Sequence, residues 1–412
     1  MILEIANIGK IQNAKIELRG ITVVAGGNNT GKSTFGKVLY CMFNAFCNAE
    51  TAIQKERINN LENTIQRYFH VVLNEKREKN IIDNLIKNSS SPEALRKILQ
   101  EFIDKGIFRP RPFGNGINDS LDLLIEKIIC NISVGDEDIQ RMILTRFLYT
   151  EFLSQITHVN DSSEQGKISL NINNQKLEAI VNNEECLEYT DGARNLNSAF
   201  YFDTPFVVDE TKKRERSYSS RHHRERLIKS WSKLENDGNI VEEVIAKQKL
   251  KTVLSCIRSV IDGDFKINEN GLCFQENGLD KPLNFLNISA GMKLFLMLRR
   301  LLELGEIKEQ DILVFDEPEI HLHPEWQMKF AETLVLLQKE FNLTILLTTH
   351  SIYFLDAIEV YSQKYGTSVC CRYYLAEDVG NACRVRDVTE NTDAIYQELG
   401  EPFHQLEAMR YE

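Results

Sequence analysis

Gly26-Gly27-Asn28-Asn29-Thr30-Gly31-Lys32-Ser33-Thr34 is the stretch whose reading decides the fold. The apolar run Ile21-Thr22-Val23-Val24-Ala25 precedes it and reads as a buried strand. Phe35-Gly36-Lys37-Val38-Leu39-Tyr40 follows and reads as a helix running to about Phe46. Gly26, Gly31, Lys32 and Ser33 fit G-x-x-x-x-G-K-[ST] in the strand–loop–helix setting of a phosphate-binding loop. Small residues let the backbone curl until successive N–H groups point at phosphate oxygens. The helix that follows aims its positive end at the same place. Asn28, Asn29, Thr30 and Thr34 complete the cradle. Lys32 is placed to reach the β- and γ-phosphates of a nucleotide, and the Ser33 hydroxyl to sit on Mg²⁺.

The chain around this loop has 412 residues, 42 % hydrophobic and 26 % charged, enough for one large domain or several ordinary ones with ample core. Its net charge of −11 argues against a uniformly basic nucleic-acid coat, though not against a local basic strip. The nine cysteines show no repeated C-x-x-C, so neither a disulfide framework nor a zinc ribbon is indicated, and reduced thiols fit a cytoplasmic protein. The strand pattern from Met1-Ile2-Leu3 leaves no room for a signal peptide, and no apolar run is long enough to span a bilayer.

Short strands are expected at Ile2–Ile5, Ala14–Leu18 and Ile21–Ala25. From 51 to 165 the chain reads as an inserted helical subdomain. Leu61, Ile65 and Phe69 recur at four-residue spacing there, as do Ile139, Ile143 and Phe147. Residues 166–239 read as a β ribbon turning at Asn173-Asn174, then a strand Ala199–Phe202, then a basic linker or helix. Residues 1–50 and 240–412 form the head that this middle splits. Between Lys212 and Lys233 the cations Lys213, Arg214, Arg216, Arg221, Arg224, Arg226 and Lys229 interleave with Tyr218, His222, His223 and Trp231. That mixture suits phosphates and bases, and equally a solvated helix face.

Three further motifs complete the pattern. Asp311-Ile312-Leu313-Val314-Phe315-Asp316-Glu317-Pro318 is an apolar strand ending in two acids. Asp316 is placed to hold Mg²⁺ and Glu317 to polarise a water for attack on the γ-phosphate. Asn287-Ile288-Ser289-Ala290-Gly291-Met292-Lys293 opens an amphipathic helix that Ser289 can cap, while Gly291 permits close backbone approach to a ligand. The strand Leu343–Thr349 ends at His350, which can contact a γ-phosphate and the attacking water.

With these motifs in this order, the chain resembles the ATP-binding-cassette (ABC) ATPases, within them the soluble branch of chromosome-maintenance (SMC), DNA-repair and OLD-type ATPases. Asp316-Glu317-Pro318-Glu319-Ile320-His321-Leu322-His323-Pro324 is especially like the OLD-type and related defence-system ATPases. The resemblance covers 1–45 and about 285–355. It implies an α/β P-loop fold of ABC type: a mixed central sheet with helices on both faces, an antiparallel N-terminal β subdomain, and a mainly helical insertion. It makes Gly26–Thr34 the Walker A motif, Asp316 the Walker B aspartate, Glu317 the catalytic glutamate, His350 the switch histidine, Ser289 and Gly291 part of the signature, and Glu319–His323 the D-loop. It also implies a homodimer or higher homo-oligomer with ATP shared between the P-loop of one copy and Ser289 of the other. Ala290 and Met292 stand where the signature usually has glycine and glutamine, and Asp203-Thr204-Pro205 occupies roughly the Q-loop region without a glutamine.

A transporter cassette would carry its signature much closer behind the P-loop, and a chromosome organiser would need coiled-coil arms that 51–157 cannot form. The resemblance to ATPase subunits of bacterial anti-phage modules of the Septu or PARIS type implies a switch or scaffold beside a separately encoded nuclease. The segment 351–412 is too short for the nuclease domain of OLD proteins. Two other readings stand beside it: a DNA-repair or DNA-processing ATPase using Lys212–Lys233, and an ATP-binding scaffold with negligible turnover.

Overall fold

Strands of two kinds meet in one sheet. Ile21–Gly26, Ala199–Phe202, Ile312–Asp316 and Thr344–Thr349 are buried on both faces, as parallel strands between helix layers must be. Ile2–Ile8 and Gln175–Val181 alternate buried and accessible residues, as antiparallel strands with one open face do. The computed structural model describes residues 1–412 except 72–80, 82–84, 89–90, 111–116, 159–164, 193–195, 213–220, 234–239, 270, 381 and 412. They form two compact units, Met1–Cys47 with Leu144–Glu412, and Asn48–Ile143.

In chain order the first unit begins with β1 (Ile2–Ile8), β2 (Ile11–Glu17), β3 (Ile21–Gly26) and α1 (Lys32–Phe46). The second unit holds α2 (Ala49–Tyr68), β4 (Phe69–Val71), α3 (Pro92–Asp104), β5 (Phe108–Pro110) and α4 (Ile117–Ser133), and α5 (Asp136–Phe152) carries the chain back. The first unit resumes with β6 (Gly166–Ile172), β7 (Gln175–Val181), β8 (Cys186–Asp191), β9 (Ala199–Phe202), α6 (His222–Trp231), α7 (Ile240–Arg258), β10 (Gly263–Asn268), β11 (Gly271–Glu276) and β12 (Leu283–Asn284). It ends with α8 (Ala290–Glu303), β13 (Ile312–Asp316), α9 (Pro324–Phe341), β14 (Thr344–Thr349), α10 (Ile352–Tyr365), β15 (Cys371–Asp378), β16 (Cys383–Asp387) and α11 (Asp393–Tyr411).

The main sheet has eleven strands in the order β8-β7-β6-β1-β2-β16-β15-β3-β14-β13-β9. From β15 to β9 all neighbours are parallel, and from β8 to β2 all are antiparallel. β16 joins the halves, antiparallel to β15 and parallel to β2. The fold is therefore α/β with a mixed central sheet. Ile21, Val23, Phe200, Phe202, Leu313, Phe315, Ile345 and Leu347 face a core filled from α8, α9 and α10. The alternate residues Tyr201 and Val314 lie against α1, where a Cβ on Gly36 would come within 2.7 Å of Val314 Cγ1. Only glycine allows α1 this close to β13.

The ribbon around Asn173-Asn174 forms as expected, both asparagines having positive φ. It is nevertheless part of the main sheet: β6 pairs with β1, and Leu3 and Ile5 stand opposite Leu170 and Ile168, all buried. The sequence reading set 166–239 apart from the head and ended the insertion at 165; the compact units divide at 47/48 and 143/144. The second unit has its own core, in which Leu61, Ile65 and Phe69 meet Leu95, Leu99, Phe108, Leu124 and Ile128. Among the described residues, no helix is long and apolar enough to cross a membrane.

Gly36→Ala should destabilise the first unit by about 1–3 kcal/mol, because the new methyl would stand 2.7 Å from Val314 Cγ1 and 3.3 Å from Tyr201 Cε2 in a packed layer. Denaturant unfolding of wild type and variant measures this.

Candidate phosphate-binding site

β3 delivers Gly26 with φ +154°, and a Cβ there would meet the Ala376 carbonyl of β15 at 2.2 Å. The loop then turns through Asn29 (φ +64°) and Gly31 (φ +78°) before α1 begins at Lys32. Asn28 and Asn29 stand exposed at its crest, while Thr30 is buried and donates to the Gly27 carbonyl at 2.9 Å. The Thr34 N–H bonds the Gly31 carbonyl at 3.0 Å. The buried Lys32 ammonium bends back across the loop, donating to the carbonyls of Gly26 (3.0 Å) and Gly27 (2.6 Å). It also lies 3.4 Å from Glu317 Oε1.

Ser33, one residue into α1, donates to Asp316 Oδ1 at 3.0 Å. Two more hydroxyls converge on that carboxylate: Thr348 of β14 on Oδ1 at 2.5 Å and Tyr201 of β9 on Oδ2 at 2.9 Å. Sheet order explains the convergence, because β3, β14, β13 and β9 are consecutive and all end on the same edge. Glu317 follows in a left-handed conformation, φ +49°, which costs a non-glycine residue about 1–3 kcal/mol. Its N–H is held by both the carbonyl and the hydroxyl of Thr348, each at 3.1 Å.

His350, just beyond β14, points its Nδ1 between two carboxylates, 3.7 Å from Glu317 Oε1 and 3.8 Å from Glu319 Oε1. Glu319 is buried, accepting from the Thr349 hydroxyl at 2.5 Å and the His350 N–H at 3.0 Å. Burial pushes its carboxyl above the usual range against the pull of those two bonds. Glu319 thus fixes the backbone that presents His350. Its exact place was not legible in the sequence, where it was only one residue of a D-loop-like string. His321 in the same string packs its ring on Phe206, and among the described residues no cluster of three or more His, Cys, Asp or Glu could hold a metal.

Ser289 and Gly291 lie apart from this cluster. Among the described residues no hydrogen bond or ion pair joins either to the loop, Asp316, Glu317 or His350. Ser289 is exposed and caps α8, its Oγ accepting from Met292 N at 3.4 Å. The close approach that requires glycine at 291 comes from within the chain: a Cβ would meet the His321 carbonyl at 2.9 Å.

The basic stretch folds differently from a free cationic strip. Lys213, Arg214, Arg216 and Tyr218 lie outside the described residues; on α6 and its flanks Lys229 is exposed, whereas Arg221, Arg224, Arg226 and Lys233 find partners within the chain. Arg224 forks onto Asp203 at 2.5 and 3.1 Å, and Arg221 lies 3.7 Å from the same carboxylate. Arg226 donates to Asn44 and stacks on Phe200, and Lys233 pairs with Glu306. Trp231 and His223 are buried.

His223 lies between Glu151 and Asp203. Glu151 accepts the His223 N–H at 3.1 Å and contacts Nδ1 at 2.7 Å, while Nε2 is 3.1 Å from Asp203, off the line of a good hydrogen bond. Burial alone would lower the pKa of this imidazole, but the two carboxylates outweigh it and raise it. A raised folded-state pKa contributes stability that is complete below the ordinary histidine value and is lost as pH rises through the folded value. The stability gap between wild type and His223→Gln should therefore be widest at about pH 5 and shrink by about pH 9, measured by urea unfolding across that range. A gap independent of pH would mean that folding leaves the pKa of this imidazole unchanged, and one that widens as pH rises would mean that it is held neutral.

Solved structures similar to this chain include the SMC head domain from Thermotoga maritima, at 11 % identity over 94 % of this chain and 98 % of that one, with a TM-score of 0.38. An SmcHead bound to the C-winged helix domain of ScpA matches at 11 % identity over 95 % and 98 %, with a TM-score of 0.44. An Smc head domain with an extended coiled coil, bound to the C-terminal domain of ScpA derived from Pyrococcus furiosus, matches at 10 % over 97 % and 98 %, with a TM-score of 0.41. No curated protein matches the chain. The family model described as the AAA ATPase domain spans residues 1–355, covering every motif above, and the chain belongs to that family.

Proposed function

We propose that this chain binds ATP with Mg²⁺ at Gly26–Thr34 and hydrolyses it, and that two copies close on the nucleotide to switch a separately encoded effector. The observation that carries the reading is the meeting of Lys32, Ser33, Asp316 and Glu317, drawn from distant parts of the sequence, within 3.4 Å contacts. The donor set fits Mg²⁺: one hydroxyl and one carboxylate, hard oxygens, with no dedicated protein cage among the described residues, as for an ion held also by phosphates and water. When bound, the ion neutralises charge developing on the phosphates.

The remaining chemistry belongs to the chain. The N–H groups of Asn28–Ser33 and the positive end of α1 bind phosphate oxygens. Lys32 exchanges its loop carbonyls for the β- and γ-phosphates. Glu317 accepts the proton of the attacking water, its carboxylate held toward the site by the Thr348 bonds to its backbone. His350, presented by Glu319, borders the same water.

Shared use of the nucleotide is supported by the outward position of Ser289. Ser289, the cap of α8, is exposed, as are Leu286 and Ile320, and among the described residues no hydrogen bond joins it to the loop of its own chain. A second copy brings it to the γ-phosphate. An effector nuclease in a cytoplasmic anti-phage module is the role that the resemblance of Asp316–Pro324 favours. Direct nucleic-acid binding is the second reading, and the internal pairing of Arg221, Arg224, Arg226 and Lys233 weighs against it.

Lys32→Ala should weaken ATP binding at least about a hundredfold, the loss expected for a desolvated charge contact, by calorimetry; unchanged affinity would refute the loop assignment. Glu317→Gln should slow turnover by about 10²–10⁴ and accumulate an ATP-dependent dimer on sizing, which Ser289→Arg abolishes without loss of ATP binding. A monomer under all conditions would refute the shared site, and a wild type as slow as Glu317→Gln would favour an ATP-binding scaffold.

A further inference from the structure

Asp316 has two oxygens with different neighbours. Oδ1 accepts from Ser33 and Thr348, and Oδ2 accepts from Tyr201 at 2.9 Å. A carboxylate that shares a cation with Ser33 must present the Ser33-facing oxygen, so the partner of the other oxygen sets its rotation. Tyr201 is that partner, and its ring is gripped on several sides. Gly36 leaves the ring room: a Cβ there would stand 3.3 Å from Tyr201 Cε2. Tyr40 lies 6.4 Å away between centroids, and the His223 ring tilts against it at 4.6 Å.

His223 is itself immobilised. Glu151, at the end of α5, takes both its N–H and its Nδ1, and Asp203, next after β9, stands at its other nitrogen. Glu151, His223 and Tyr201 are all buried. The first two are polar groups that the proposed hydrolysis does not use, and their burial is costly unless each is paired. The row Glu151, His223, Tyr201, Asp316 is continuous by hydrogen bond, ring contact and hydrogen bond.

We propose that Tyr201 is a positioning residue for Mg²⁺ binding: by holding Oδ2 it turns Oδ1 of Asp316 toward Ser33, with His223 and Glu151 fixing the tyrosine ring. This rests on the reading of Ser33 and Asp316 as the residues facing the ion. Tyr201→Phe keeps the ring and removes only the hydroxyl. Its metal requirement should rise by about tenfold, as for loss of an outer-shell partner.

The test is equilibrium binding of a fluorescent, non-hydrolysable ATP analogue, titrated with Mg²⁺ and repeated in EDTA. Tyr201→Phe is expected to need about ten times more Mg²⁺ for half-maximal tightening while its affinity in EDTA equals that of wild type. Glu151→Gln should shift the requirement in the same direction by less, and the double variant should add little to Tyr201→Phe alone. A wild-type Mg²⁺ requirement in Tyr201→Phe overturns the proposal even if its melting temperature falls, since that would be a structural role only. Strictly additive shifts in the double variant overturn the row from Glu151. Should Tyr201→Phe fail to fold, an unchanged requirement in Glu151→Gln overturns the proposal and a raised one supports it. A wild type whose affinity does not respond to Mg²⁺, or an Asp316→Asn variant that responds normally, would instead remove the underlying assignment of Asp316.

Discussion

One carboxylate, Asp316, accepts hydrogen bonds from hydroxyls on three separate segments: α1, β9 and β14. Most of the molecule serves that meeting. The parallel half of the sheet brings the strand ends to one edge, and the helix layer of α8, α9 and α10 covers one face. On the other face, the missing side chain at Gly36 sets the height of α1 over β13 and β9. Raise α1 by a methyl group and both Ser33 and the space for Tyr201 move with it. The site is thus a product of packing density as much as of its polar residues.

Much of this was legible in the sequence because the motifs carry local physics. The strand–loop–helix at 21–46 has its own glycines, and the apolar runs 312–315 and 345–347 are too continuous for a half-exposed strand. What sequence could not supply was reach across the sheet. Tyr201 sits in the run Ala199-Phe200-Tyr201-Phe202, where nothing distinguishes a tyrosine aimed at a carboxylate from one filling a core. Thr348 and Glu319 gain their roles from β14 lying next to β13, a neighbour relation set by topology.

The basic stretch shows the opposite failure. Counted along the chain, its cations suggest a surface for phosphates. In space Arg221, Arg224, Arg226 and Lys233 find Asp203, Asn44 and Glu306, partners distant in sequence. The ribbon at 166–191 was recognisable through its alternation and its Asn-Asn turn. Its membership of the main sheet depended on the free edge of β1, which no local pattern announces.

The position of β3 has a consequence for how the molecule comes into being. This early strand is sandwiched between β14 and β15, both from the last fifth of the chain. Such pairing has a very long sequence separation, and its loop-closure entropy must be met before the contacts repay it. During synthesis the glycine-rich loop is made long before β14 and β15, the two strands that flank β3 in the sheet. The rigid placement of Gly26–Thr34 is therefore a long-range property: a loop written entirely in local sequence is held in place by strands from the far part of the chain.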